Sequence, residues 1–205
     1  MPRFITFEGG EGVGKTTQIQ RLKEYLVSLG NKVLITREPG GTEIGEAIRQ
    51  VLLDKTLPGM HQDTELLLMF AARAEHVQTV IYPVLADGVW VLSDRFVDAS
   101  HVYQGVGRGV DATRIDQLER WTLGGFQPDL TFLLDMPVAA GMKRVHTRGE
   151  TDRFETENLD FFQRIREGYL SRVKKFPERY RIIDAEQDLD VVTASINGAL
   201  DKWLE

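Results

Sequence analysis

The segment from Gly9 to Thr16 constrains the fold of this chain more than any other, because it reads G-G-E-G-V-G-K-T. It matches the phosphate-binding loop pattern G-x-x-x-x-G-K-[S/T], in which glycines let the backbone approach phosphate oxygens closely. The preceding residues Phe4–Phe7 are typical of a short buried strand, and apolar residues then recur at helical spacing from Ile19 to Leu29. A strand, a glycine-rich turn and a helix N-terminus together point backbone N–H groups at an anion. A chance match in a glycine-rich turn is the alternative interpretation.

The loop pattern predicts a nucleoside triphosphate as the ligand. We expect Lys15 to reach the β- and γ-phosphates and the Thr16 hydroxyl to bind Mg²⁺. The predicted ATP phosphate-binding residues are Gly9, Gly10, Glu11, Gly12, Val13, Gly14, Lys15, Thr16 and Thr17.

Composition excludes several classes of protein. The 205 residues include no cysteine, which rules out disulfides, thiolate zinc sites and cysteine nucleophiles. The formal net charge of −6 argues against a general nucleic-acid binder, which would normally be basic. No apolar run approaches the roughly 18 residues that span a membrane, and the N-terminus has no signal-peptide pattern. We therefore expect a cytoplasmic protein with no nucleic-acid and no membrane partner.

Four further apolar runs follow the first strand and alternate with helical patterns. These runs are Lys32–Thr36, Val89–Ser93, Leu130–Asp135 and Tyr180–Asp184. The alternation predicts an α/β protein of three layers, with a five-stranded parallel sheet and helices on both faces. No linker or shift in composition divides the chain, so we expect a single domain over residues 1–205. Ligands of such sheets bind at the carboxyl ends of the strands.

Two of the predicted helices carry breaking signals. A long helix is expected from about Thr64 to Leu85, with a bend or interruption near Pro83, because proline lacks the N–H that a helix interior needs. A short helix is expected over Ala99–Gln104, ended by the turn Gly105–Gly109.

Charged residues stand at the ends of two predicted strands. Asp94 follows the run Val89–Ser93 directly, where a carboxylate next to a phosphate loop is expected to help bind Mg²⁺. Arg95 could bind a phosphate through two parallel hydrogen bonds; a surface salt bridge between the two is the alternative. Arg37, at the end of the second strand, could face a second phosphate-bearing ligand, although a solvated loop arginine is the commoner explanation.

Two helix faces carry residues that suit a nucleobase. Phe70 and Arg73 lie three positions apart, so a ring and a guanidinium share one face, although Phe70 could equally belong to the core. Ser100, Tyr103 and Gln104 also share a face, and a glutamine amide matches the N3–H and C4 carbonyl of a pyrimidine. Ordinary helix polarity explains these three residues as well.

A cationic segment separates two later helices and predicts a small lid over about residues 144–156. The segment's charged residues include Lys143, Arg144, Arg148, Asp152 and Arg153. Such a charge run is usually a solvated face. In a phosphoryl-transfer enzyme, however, a mobile arginine-bearing lid excludes water and stabilises the charge of the transferred group.

Taken together, these motifs resemble those of the bacterial-type thymidylate kinases, a family of P-loop nucleoside monophosphate kinases, over nearly the whole chain. The matching segments are Phe7–Thr17, Thr36–Thr42, Phe70–Arg73, Ser93–Phe96, Tyr103–Gly105 and Gln127–Leu130. The resemblance implies a P-loop NTPase fold, a homodimer, and phosphorylation of dTMP to dTDP by ATP with Mg²⁺.

The resemblance also implies roles for individual residues. The implied catalytic residues are Lys15, Asp94, Arg95, Arg148 and Arg153, with Thr16 and Asp94 at the metal. The implied dTMP-binding residues are Glu11, Arg37, Phe70, Arg73, Arg95, Ser100, Tyr103 and Gln104. In the eukaryotic-type branch an arginine follows the acidic loop residue, whereas this chain has Gly12, which assigns the catalytic arginines to the lid. Phe96 departs from the tyrosine or histidine common at its position.

Two alternative functions remain open from the residues themselves. A nucleoside kinase needs a carboxylate to deprotonate its acceptor hydroxyl, and Glu38 could serve, but the cluster of Arg37, Arg73 and Arg95 argues for a phosphate on the acceptor. A nucleotide-binding switch is the other alternative, although the chain lacks an N-K-x-D guanine motif.

Overall fold

Five parallel strands form one sheet, and helices pack on both of its faces. The computed structural model describes residues 3–57, 59–148, 153–154 and 157–205, apart from the side chain of Arg148. The strands are β1 Phe4–Glu8, β2 Val33–Arg37, β3 Trp90–Asp94, β4 Leu130–Asp135 and β5 Tyr180–Asp184. Their order across the sheet is β2-β3-β1-β4-β5, and every neighbouring pair is parallel. The predicted five-stranded parallel sheet is therefore confirmed.

Helices connect the strands and pack on both faces of the sheet. Those in the described parts of the chain are α1 Lys15–Ser28, α2 Glu43–Leu53, α3 Gln62–His76, α4 Tyr82–Ala86, α5 Val97–Ser100, α6 Ala112–Leu123, α7 Val138–Arg148, α8 Leu159–Lys175 and α9 Leu189–Leu204. Two π-helical turns, Val77–Ile81 and His101–Gly107, follow α3 and α5. None of the described helices is long and apolar enough to cross a membrane.

Helices cover both faces of the sheet, and alternate residues of each strand point into the two opposite layers. Ile5 of β1 packs in a cluster with Leu22 of α1 and Ile196 of α9. Its neighbour Phe4 packs in the opposite layer, in a cluster that includes Phe70 of α3. Strands covered on both faces read as continuous apolar runs, which is why the sequence shows these strands so clearly.

The bend or interruption expected near Pro83 takes the form of a π-helical turn just before the proline. The helical path continues through Pro83, which lies in the first turn of α4. The π-helical turn Val77–Ile81 precedes it and closes when the Tyr82 N–H donates to the Val77 carbonyl. This wider turn shifts the hydrogen-bond register just ahead of the proline, so the missing N–H breaks no regular helix.

The short helix predicted over Ala99–Gln104 also differs from the structure. An α-helical turn ends at Ser100, and the chain then widens into the π-helical turn His101–Gly107. Asp94 closes strand β3 rather than following it, because the strand is shifted one residue from the predicted run. Single π-helical turns carry no clear sequence signature and are frequent at functional sites.

Glu8, the last residue of β1, is a fully buried carboxyl group that joins the sheet to two other elements. Its Oε1 accepts a hydrogen bond from the Phe96 N–H at 2.8 Å, and its Oε2 accepts one from the Tyr169 hydroxyl at 2.7 Å. Burial raises the pKa of Glu8 to about 7, and the Asp98 charge adds to the rise, while Arg95 opposes it.

The raised pKa of Glu8 makes stability depend on pH. The unfolded chain loses this proton near pH 4.5, whereas the folded protein keeps it up to about pH 7. The free energy of unfolding therefore falls as pH rises through that window, by up to about 3 kcal/mol. Glu8→Gln removes the titration, so we expect the wild-type protein to lose stability relative to this variant between pH 5 and pH 8. Denaturant unfolding at several pH values measures the difference, and parallel pH profiles would contradict it.

Candidate active site

The loop between β1 and α1 has the backbone conformation that its glycines predict. Gly9, Gly12 and Gly14 have φ values of 139°, 72° and 90°, which residues with a Cβ rarely adopt. A Cβ on Gly9 would collide with the Leu134 carbonyl oxygen, and one on Gly12 with the Gly141 carbonyl oxygen. The loop therefore packs directly against the backbone of strand β4 and helix α7.

Lys15 opens α1 with its ammonium folded back over the loop. Its Nζ donates to the carbonyl oxygens of Gly10 at 3.0 Å and Gly9 at 3.3 Å. Burial lowers the pKa of Lys15, and the positive charge of Arg95 lowers it further. An anion bound in the loop would offset both effects, so this position favours a phosphate ligand.

Thr16 and Asp94 meet where α1 begins and β3 ends. The Thr16 hydroxyl is 3.5 Å from Asp94 Oδ2. A hydroxyl and a carboxylate oxygen are the donors that Mg²⁺ prefers, and this ion usually takes only one or two protein ligands beside phosphate oxygens and water. The two side chains therefore fit the predicted magnesium site in chemistry and proximity.

Arg95 has an unusual backbone, with a φ of 71° that side-chain-bearing residues seldom adopt. Its N–H donates to the Phe7 carbonyl at 3.0 Å, and the Ser93 hydroxyl donates to the Arg95 carbonyl at 2.7 Å. The guanidinium consequently points at the phosphate loop, where it pairs with Glu11 at 2.6 Å and donates to the Gly9 carbonyl at 3.0 Å. This turn brings a cation from β3 against the loop after β1.

Glu11 also accepts a hydrogen bond from Tyr103, whose hydroxyl lies 2.8 Å from Glu11 Oε1. The Arg95 guanidinium lies over the Tyr103 ring, 4.7 Å from its centroid. The Tyr169 hydroxyl accepts from Arg95 Nη1 at 3.0 Å. Tyr169, which the sequence analysis did not single out, thus links Arg95 to the buried Glu8.

Arg73 is buried on α3 and is fixed on three sides. Its Nε donates to Glu38 at 2.7 Å, and its two terminal nitrogens donate to the Ser100 hydroxyl and the Phe96 carbonyl, each at 3.1 Å. Five N–H groups leave further donors for a ligand. The guanidinium covers the Phe70 ring at 4.7 Å, and Phe70 itself is 2% exposed and packs in the core. The predicted role of Phe70 as a ring that stacks on a base stays a prediction.

Gln104 lies in the π-helical turn after α5, and its amide is held by a residue that the sequence analysis missed. Gln104 Nε2 donates to Glu65 Oε1 at 2.8 Å, and Glu65 is 1% exposed. A signal did exist, because Glu65 is an acid in an apolar stretch, four and eight positions before Met69 and Arg73 on the same helix face.

Arg153 reaches the side of the cleft that carries Glu65. It donates to Glu65 Oε2 at 2.6 Å and to the Leu52 carbonyl at 2.8 Å. Its neighbour Phe154 is buried and packs edge-on against Tyr103. Residues 149–152 and 155–156 of the predicted lid, which include Asp152, and the side chain of Arg148 lie outside the described residues.

Arg37, the last residue of β2, is exposed. Its guanidinium pairs with Glu46 of α2 at 2.9 Å, and its side chain is 54% exposed. Glu46 also accepts the Gly41 N–H at 3.0 Å, which fixes the turn that follows β2.

A cavity of about 1420 Å³ joins these groups at the carboxyl ends of β1, β2 and β3. This volume exceeds the usual range for a single small-molecule site. The predicted residues that line the cavity are Glu11, Gly12, Val13, Gly14, Lys15, Thr16, Thr17, Arg37, Arg73, Asp94, Arg95, Ser100, Tyr103 and Gln104.

A separate group of potential metal ligands consists of His101, Asp116 and Glu119. His101 Nε2 lies 2.6 Å from a Glu119 carboxylate oxygen, which is hydrogen-bonding distance and leaves no space for an ion between them. We interpret this group as a hydrogen-bonded pair of His101 and Glu119.

Comparison with known proteins agrees with the geometry of the cleft. The thymidylate kinase family model matches residues 7–196. The thymidylate kinase of Ruthia magnifica is 54% identical over 194 residues, covering 95% of each chain, and that of Nitrosospira multiformis is 51% identical over 198 residues, covering 97% of this chain and 96% of the other. The crystal structure of thymidylate kinase from Ehrlichia chaffeensis superimposes with a TM-score of 0.80 at 34% identity, covering 97% of this chain and 98% of that one. The chain therefore belongs to the thymidylate kinase family, whose members are nucleoside monophosphate kinases.

Proposed function

We propose that this protein transfers the γ-phosphoryl group of ATP to dTMP, giving ADP and dTDP. The observation that carries the proposal is the shared cavity, in which the phosphate loop faces the polar cluster of Arg73, Ser100 and Gln104. A phosphate loop alone requires only one nucleotide, whereas a second set of cationic and base-directed groups suits an acceptor nucleotide.

The donor half consists of the loop and the start of α1. Backbone N–H groups at the helix N-terminus and the Lys15 ammonium would hold the β- and γ-phosphates of ATP. Lys15 would exchange its carbonyl partners Gly9 and Gly10 for phosphate oxygens. Mg²⁺ held by Thr16 and Asp94 would neutralise charge on the transferred phosphoryl group.

The acceptor half begins at Arg95, which would bind the 5′-phosphate of dTMP. Arg73 would contribute from α3, and Arg37 from the end of β2. Glu11 would approach the 3′-hydroxyl, and Tyr103 would lie against the sugar. In support, Arg95, Glu11 and Tyr103 already form one hydrogen-bonded group between the loop and the acceptor side.

No general base is needed in this mechanism. The second pKa of a phosphate monoester is about 6, so the attacking oxygen of dTMP is largely ionised at neutral pH. The protein has to align two nucleotides and neutralise their charge, and both tasks suit a cleft lined by arginine and lysine.

A nucleoside kinase remains the alternative, and the position of Glu38 counts against it. The carboxylate is buried, its Oε2 accepts from Arg73, and its Oε1 lies 3.0 Å from His76 Nδ1. Both oxygens are therefore engaged in the structure, and the group is poorly placed to deprotonate a substrate hydroxyl.

We also propose a homodimer. Leu67 on the outer side of α3 is 56% exposed, in the apolar stretch Leu66–Met69 that the sequence analysis singled out. Light scattering at about twice the chain mass would support this assembly.

The acceptor is tested by a steady-state screen of dTMP, dUMP, UMP, AMP and thymidine with ATP and Mg²⁺. We expect turnover with dTMP and none with thymidine, because the acceptor arginines need a phosphate to bind. Preference for thymidine would establish the nucleoside kinase alternative instead.

Lys15→Ala should reduce kcat by about 10³-fold or more, because it removes the ammonium that would neutralise negative charge on the transferred phosphoryl group. dTMP binding, measured by calorimetry, should stay nearly unchanged, since Lys15 belongs to the donor half. A variant with wild-type kcat would exclude the proposed role of the loop.

Arg153→Ala should lower kcat by about 10²-fold, and this effect should exceed the rise in KM for dTMP. The reason is that the Arg153 guanidinium would move away from Glu65 during the reaction and stabilise the transition state. Lys143→Ala serves as a matched control, because Lys143 is an exposed cation on α7 outside the cavity. The opposite pattern, a raised KM with an unchanged kcat, would place Arg153 in acceptor binding.

A further inference from the structure

Glu65 is a carboxylate buried within α3, and it contacts residues from two other segments, the π-helical turn after α5 and the predicted lid. Its Oε1 accepts from Gln104 Nε2 at 2.8 Å, and its Oε2 accepts from Arg153 at 2.6 Å. Arg108 Nε lies 3.5 Å from Oε1. The two guanidinium groups offset the cost of burying the carboxylate, so the charge is kept close to the cleft.

The contact with Glu65 determines which way the Gln104 amide faces. An ionised carboxylate can only accept hydrogen bonds, so the amide nitrogen of Gln104 must lie on the Glu65 side. This argument fixes an orientation that is otherwise ambiguous, because the two ends of an amide have nearly the same shape. No donor from the described residues bonds Gln104 Oε1, and Gln104 lines the cavity. The carbonyl oxygen therefore remains as an acceptor for a ligand.

We propose that Glu65 sets the base selectivity of the acceptor site by holding Gln104 with its carbonyl oxygen towards the base. The inference rests on the proposed function, in which Gln104 contacts a pyrimidine. Thymine presents an N3–H donor, which this oxygen accepts. Cytosine presents a lone pair at N3, so two acceptors would face each other and one hydrogen bond would be lost.

A neutral residue at position 65 would not impose this orientation. A glutamine offers both an oxygen and an NH₂ group, so it can pair with either end of the Gln104 amide. With Glu65→Gln, Gln104 can turn over and present its NH₂ group to cytosine N3. Glu65 is thus a positioning residue that acts on the base through Gln104.

The test compares kcat/KM for dTMP and dCMP in the wild-type protein and in Glu65→Gln. We expect the dTMP-to-dCMP ratio to fall by about 10- to 100-fold, the size of one directed hydrogen bond. The ratio is the right readout, because weakened pairing of Glu65 with Arg153 would slow both substrates alike. An unchanged ratio in a folded variant would overturn the proposal.

Two controls separate this role from a general structural one. Glu157 is the other carboxylate that pairs with Arg108, with its Oε1 2.6 Å from Arg108 Nη1. Glu157→Gln changes that pair but not the contact with Gln104, so the dTMP-to-dCMP ratio should stay as in the wild type. In a Gln104→Leu background, Glu65→Gln should have no further effect on the ratio, because the amide through which it acts is gone. A full additional loss in the double variant would show that Glu65 acts by another route.

Glu65→Asp provides a second variant if Glu65→Gln does not fold. It keeps the negative charge for the arginines but shortens the reach to Gln104, so the ratio should again fall. Failure of the wild-type protein to phosphorylate dTMP would overturn the proposed function. Normal wild-type activity with an unaltered ratio in the variants would overturn the role of Glu65 alone.

Discussion

The left-handed turn at Arg95 is the constraint on which the cleft depends. Such a conformation costs about 1–3 kcal/mol, and here backbone and side-chain hydrogen bonds from β1 and β3 hold it in place. With an ordinary φ the guanidinium would leave the phosphate loop and its pairing with Glu11. Glu8 secures the next residue by accepting the Phe96 N–H, so the ends of two strands and the loop are fixed relative to one another.

The sequence was sufficient to predict the sheet, because its signals are local. The central strands β1, β3 and β4 are buried on both faces and appear as apolar runs, and β4 and β5 match their predicted bounds residue by residue. The phosphate loop was equally clear, since its glycines are required by positive φ values. The two π-helical turns were not predictable, because they differ from an α-helix by one hydrogen-bond step and no residue type marks them.

The candidate site was predictable in its residue types but not in its pairings. Arg73 was singled out from its helix face, yet its partners Glu38 and Ser100 lie 35 and 27 positions away in the chain. Pairings over such separations depend on how the elements pack, which periodicity does not encode. Glu65 stands out in the sequence only as an acid in an apolar stretch, and its partners are known only once α3, the turn after α5 and the lid meet.

The contact between Gly12 and Gly141 limits which substitutions this chain can accept at either position. A side chain on either glycine would strike the backbone of the other segment, since a Cβ on Gly141 would meet the Glu11 carbonyl oxygen. An arginine cannot enter the loop at position 12 while α7 stays where it is. Any residue with a side chain at position 12 therefore requires the loop or α7 to move, so a single substitution there acts on two segments of the fold at once.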